Sequence, residues 1–235
     1  MLYNMNMKSL KQIVDYLILN SSGMSDLGLY HGKVGVAIFF AHYSRYLKND
    51  LYADFSYYLI KESYDELFSY LLNIEYGLSG IGWGINYLVN NNYLSGNIDD
   101  VLYDIDSCIL KCDLNKIDDF TFDRGFGGIL CYICSRLFYK SDKCLFDSKY
   151  LNDIKEILIL NNNVCLDSNS KIIFNMFLND NFDIKIDKLI FDIIKNRNNC
   201  CKCSFDSLGL LDGLSGLAYI YLDNMMNDET CLCIR

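Results

Sequence analysis

Residues 32–40 read Gly-Lys-Val-Gly-Val-Ala-Ile-Phe-Phe: two glycines three apart, then an unbroken apolar run. The same arrangement returns at Gly77-LS-Gly80-IGWGI, Gly125-FG-Gly128-ILCYI and Gly213-LS-Gly216-LAYIY. The first glycines are spaced by 45, 48 and 88 residues. The last interval is close to twice the others, so a degenerate unit belongs near Asn169, where NSKIIFNMF keeps the apolar run without glycines. The first and last units are most alike, LGLYHGKVGVA from Leu27 and LGLLDGLSGLA from Leu208.

The text between these motifs has helical periodicity. Tyr57, Ile60, Tyr64, Leu67, Phe68 and Leu71 follow three-and-four spacing, as do Val101, Leu102, Ile105, Cys108 and Ile109. Ile186, Leu189, Ile190, Ile193 and Ile194 repeat it, and so do Leu10, Ile13, Val14 and Leu17. These segments are amphipathic, whereas VAIFFAHY, ILCYIC and LAYIYL are apolar nearly all round, as buried helices are. Each unit is therefore one outer amphipathic helix and one inner apolar helix. The expected architecture is all-α: about ten helices in five hairpins, in one domain, curved around a cleft or an incomplete toroid. Its units fall near 28–75, 76–122, 123–165, a degenerate 166–208, and 209–235.

Glycines at the inner N-termini have two physical uses, a positive φ in the entering turn and close approach of backbones. Gly32, Gly35, Gly77, Gly80, Gly125, Gly128, Gly213 and Gly216 are the structural glycines of this scheme. The helix ends they open are expected to present free N–H groups and positive dipole ends to a central cavity. His31, Tyr76, Arg124 and Asp212 precede the first glycines and would stand at its mouth.

Composition narrows the function. Half the residues are hydrophobic (51%) and none is proline, which suits a helical array. With 21 basic against 30 acidic residues, the net charge of −9 disfavours nucleic acid and anionic membranes. No window approaches the length of an apolar bilayer span. The N-terminal MLYNMNMKSLKQIVDYLILN is interrupted by Lys11 and Asp15, unlike a secretory leader. Eleven cysteines then read as reduced thiols in the cytoplasm.

HGKVGVA, GLSGIGWGINYL and GLLDGLSGLAYIYL closely resemble the GxxG-bearing inner helices of lanthionine synthetase C-like (LanC-like) proteins. The resemblance runs from about Leu27 to Asp223 and is weak between Lys140 and Cys203. It implies an α/α toroid and, in the family's active members, zinc-dependent addition of peptide cysteine thiols to dehydrated Ser/Thr residues. There zinc holds a nucleophilic thiolate while an acid/base group handles the proton at the enolate carbon. Family toroids have seven helical pairs against five units here. The family's zinc ligands, two cysteines and a histidine, lie in Trp-Cys and Cys-His-Gly motifs. This chain has Tyr30 where the second motif has cysteine, and Gly84 after Trp83. No metal ligands are therefore assigned. His31 in GLYHGKVG resembles the segment that carries a catalytic histidine in active cyclases.

Each candidate has a functional and a structural reading. His31 is an acid/base group or a polar cap, and His42 a packing residue within the inner helix. Asp123, Arg124 and Asp212 bind substrate, or cap helices and form ion pairs between units. Asp123 and Asp212 are also the obvious pair for a glycoside hydrolase on an α/α toroid. Tyr30, Lys33, Tyr76 and Trp83 are candidate cavity walls. Cys131 and Cys134 fall on one helix face. Cys200, Cys201 and Cys203 with Cys231 and Cys233 could hold a structural zinc. The expected role is peptide modification, with an acidic-to-neutral peptide bound in the cavity and no zinc triad. The alternative is a non-catalytic scaffold that docks a modification enzyme. An array of five units leaves apolar flanks on its end helices unless it closes or pairs, hence the expectation of a homo-oligomer or a partner.

Overall fold

Short polar side chains cap three outer helices and one inner helix, and glycines start the other inner helices. The computed structural model describes residues 7–67, 71–139, 145–161, 166–181, 186–200 and 206–232, and these hold helices and loops without a strand. The helices are α1 (Met7–Asn20), α2 (Lys33–Leu47), α3 (Asp50–Asp65), α4 (Leu78–Asn90), α5 (Ile98–Leu110), α6 (Phe126–Phe138), α7 (Ser148–Leu160), α8 (Ser168–Leu178), α9 (Ile186–Cys200) and α10 (Leu214–Leu232). None of the described helices is long and apolar enough to cross a membrane.

The side chains of Asn49, Asn97, Asp147 and Asp167 accept first-turn amides and open α3, α5, α7 and α8. Gly32, Gly77 and Gly125 are the N-caps of α2, α4 and α6, and Gly213 directly precedes α10. Residues Lys33 to Ser44 of α2, Leu78 to Leu88 of α4 and Phe126 to Arg136 of α6 are buried without interruption. The outer helices bury one stripe each, for example Leu102, Ile105 and Ile109 of α5. The alternation of inner and outer helices is therefore observed.

The phase of α3 differs from the expected one. Tyr57 is 55% exposed, α3 ends before Leu67, Leu71 is exposed, and Phe68 lies outside the described residues. The buried face is Ser56, Leu59, Ile60 and Ser63. Small serines let α3 approach α2 closely, and the Ser56 hydroxyl donates to the Ala37 carbonyl (2.8 Å). That bond ties the serine edge of α3 to α2 and leaves Tyr57 on the solvent side.

Of the two uses expected of the glycines, the close approach is observed and the positive φ is not. Gly32, Gly77 and Gly125 have φ of −107°, −104° and −100°, and no described glycine has a positive φ. Space is what they supply. A Cβ on Gly35, Gly128 or Gly216 would fall onto the carbonyl oxygen six residues earlier, on Leu29, Phe122 or Leu210. The first-turn amides are not free either. Lys33 N–H donates to Asp26 (3.0 Å), Leu78 to Leu71 (3.0 Å), Phe126 to Asp119 (2.9 Å) and Leu214 to Ser207 (2.9 Å), each to a carbonyl seven residues back. Every glycine motif is thus the closed end of one small loop, with its helix end already satisfied by backbone.

The chain forms two compact units, Met1–Leu67 with Ile190–Arg235, and Phe68–Leu189. In the second, Gly128 of α6 packs against Ile74 before α4, and Glu75 N–H donates to the Asp123 carbonyl (3.1 Å). In the first, Gly35 of α2 packs against Leu210 before α10, and Leu211 N–H donates to the Tyr30 carbonyl (2.8 Å). The positions correspond one for one, so α10 meets α2 as α4 meets α6. Within the first unit the first and last inner helices, α2 and α10, therefore pack on one another.

The second unit carries a buried charge cluster. Arg136 of α6 donates through Nε (3.1 Å) and Nη2 (2.9 Å) to Asp106 of α5, and through Nη2 to Asp99 (2.9 Å). The Tyr132 hydroxyl also donates to Asp106 (2.5 Å). Burial pushes the Asp106 carboxyl up, against the pull of Tyr132 and Arg136.

Candidate functional site

His31 sits where two glycine loops of the first unit meet. Its own loop is shaped by Asp26, whose Oδ1 accepts the Gly28 amide (2.8 Å) while its carbonyl accepts Lys33 N–H. The loop before α10 lies upon it. A Cβ on Gly209 would meet the Tyr30 carbonyl at 2.5 Å and His31 Cα at 2.6 Å. Together with the end of α1 these loops border an open cleft of about 530 Å³. Tyr16, Met24 and Leu208 give it apolar surface, and Asn20, Ser25, Ser207, Asp26 and Asp206 give it polar surface around His31. The imidazole is half-buried and stands edge-on to Tyr30, ring centroids 6.4 Å apart. Such a site offers one group able to donate or accept a proton, beside two carboxylates.

The other candidates divide between packing and surface roles. Tyr30 is fully buried, with the Arg197 guanidinium 5.7 Å from its ring centre. Lys33 is buried and pairs with Glu62 (3.1 Å), which also accepts the Tyr58 hydroxyl (2.6 Å). That hydroxyl and Lys33 hold the Glu62 carboxyl below its usual range against burial. Trp83 is core, stacked on Tyr87 at 5.4 Å. These three are packing and ion-pair groups. Arg124 is exposed, bonds Glu75 (2.6 Å), lies over the Tyr76 ring at 5.9 Å and borders a smaller cleft of about 240 Å³. Asp123 belongs to the second unit and Asp212 to the first. Asp212 is left-handed, with φ of 57°. His42 packs edge-on to Phe191 and Tyr219, and burial lowers its pKa to about 4.

The described residues do not suit a catalytic zinc. Among them no three His, Cys, Asp or Glu side chains stand together as metal ligands do. Cys131 and Cys134 are buried within α6, and burial pushes both thiols up, away from the thiolate that zinc requires. Cys200 is exposed. The side chains of Cys201, Cys203, Cys231 and Cys233 lie outside the described residues.

Asp26 and Asp206 were not singled out in the sequence, although one signal was present. Asp26 stands six residues before Gly32 and Asp119 six before Gly125, and each accepts the amide two residues on at 2.8 Å.

A family model described as lanthionine synthetase C-like protein matches residues 23–171, more than half of the chain. The chain belongs to the LanC-like family. The match takes in the first three glycine motifs, the loop carrying His31 and the start of α8. No curated protein and no solved structure matches the chain. The fourth motif and the loop before it lie outside the matched stretch, yet Asp206, Ser207 and Leu208 of that loop complete the cleft around His31 in this LanC-like protein.

Proposed function

We propose that this LanC-like chain binds a peptide at the His31 cleft, with His31 as the group that contacts the bound segment, and serves in peptide modification without a zinc triad of its own. The observation that carries the reading is the lining: a half-buried imidazole with Asp26, Asp206 and three neutral polar side chains, beside Tyr16 and Met24. A volume of about 530 Å³ suits one side chain and its flanking backbone. Two carboxylates in that wall favour a neutral-to-basic segment and replace the acidic-to-neutral one expected from sequence. The reading places the protein in the cytoplasm, where its buried thiols stay reduced.

Two fluorescein-labelled peptides of equal length, one with a central Lys and one with a central Glu, test the reading by anisotropy. The Lys peptide binds at least about tenfold tighter, and both His31→Ala and Asp206→Asn weaken it by about as much, or about 1.4 kcal/mol. Equal affinity for the two peptides, or Lys-peptide binding unchanged in His31→Ala, contradicts it. The second outcome points to the docking scaffold.

A further inference from the structure

We propose that Asn198, on α9 and outside every glycine motif, is the positioning residue of the His31 site; the inference rests on the reading of that cleft as the binding site. Asn198 is 4% exposed. Its Nδ2 donates to the Ile194 carbonyl of its own helix (2.8 Å) and to the Leu210 carbonyl (3.0 Å), and its Oδ1 accepts the Asp212 amide (3.0 Å). One planar amide therefore grips the chain on both sides of Leu211. Leu211 N–H in turn donates to the carbonyl of Tyr30, the residue before His31.

The surroundings are built around this grip. Asp212 is held left-handed, a conformation an aspartate adopts at some cost and keeps only when its neighbours enforce it. A Cβ on Gly216 would stand 2.9 Å from both Asn198 side-chain atoms, so glycine there makes room for the amide. Arg197, the adjacent residue, covers the Tyr30 ring. Two consecutive residues of α9 thus secure the backbone that carries His31. Only a side chain that donates and accepts in one plane serves: Asp could accept from Asp212 but would set a carboxylate against the Leu210 carbonyl, and Leu would do neither.

The chain has two histidines, so its ring spectrum holds two Hε1–Cε1 signals, assigned with His31→Ala. Asn198→Leu is expected to shift the His31 signal and to speed exchange of the Leu211 amide about tenfold. Ser56→Ala, which removes a buried hydrogen bond elsewhere in the same unit, leaves the His31 signal in place. A His31 signal in Asn198→Leu that superimposes on that of the wild type overturns the proposal. If that variant does not fold, the same signal is read in Asn198→Asp, which keeps the acceptor for Asp212. In the wild type, slow and matching exchange of the Asn198 side-chain amide and the Leu211 amide is expected, and unrelated rates overturn the proposal without any variant. Lys-peptide affinity, measured alongside, falls about tenfold in Asn198→Leu. If the wild type binds no peptide, the function proposed above fails while the histidine signal still decides the role of Asn198.

Discussion

The two histidines divide sharply by environment. His42 is enclosed by Phe191 and Tyr219, and its pKa falls from 6.5 to about 4 because burial disfavours the imidazolium, with Arg45 adding to the effect. Between pH 6.5 and 4 the unfolded chain takes up a proton that the folded chain refuses, so stability falls as pH falls through this window. The linkage amounts to about 3 kcal/mol. Urea unfolding at pH 7 and pH 4.5 is expected to show this loss, reduced in His42→Phe. Arg136 poses the converse problem, a cation buried against Asp106 and Asp99. Arg136→Met leaves Asp106 buried without its cation and is expected to cost about 3–5 kcal/mol in urea unfolding. The double variant Arg136→Met, Asp106→Leu recovers most of that loss, since the pair is worth far less than either charge alone costs when stranded.

At the scale of elements, the glycine loops account for the start of every inner helix but α8. There Asp167 replaces them: its carboxylate accepts the amides of Asn169 and Ser170 (both 2.9 Å) and also that of Phe122 (2.8 Å). Gly35→Ala is expected to cost about 1–3 kcal/mol, because its Cβ has no room beside the Leu29 carbonyl. Gly23→Ala, with no atom within 4 Å of its Cβ, is neutral or stabilising by about 0.5 kcal/mol. A thermal melt of the two variants separates these outcomes. Helices were legible in the sequence because apolar spacing is a local property: Leu102, Ile105 and Ile109 announce the buried face of α5 on their own. The phase of α3 was not, because the buried edge is set by how closely α3 approaches α2, where Ser56 donates to the Ala37 carbonyl. Nor was the use of the glycines, since which carbonyl a Cβ would strike depends on how the preceding loop closes. Asp206 and Asn198 were hidden for the same reason: their roles arise where two distant loops meet.

At the scale of the molecule, family membership rests on residues 23–171, while the cleft around His31 draws also on residues 206–208. One kind of junction serves both compact units: Leu211 to Tyr30 in the first and Glu75 to Asp123 in the second. The chain beyond residue 171 lies outside the family match, yet it includes α9, which supplies the amide of Asn198. The central claim is that the bound segment lies at His31. Titrating the isotope-labelled protein with the Lys peptide and following backbone amides tests it most directly. The account predicts saturable shifts at Ser25, Asp26, His31 and Ser207, with the amides around Arg124 unmoved. Shifts centred on Arg124 and Asn73, with His31 silent, would contradict it.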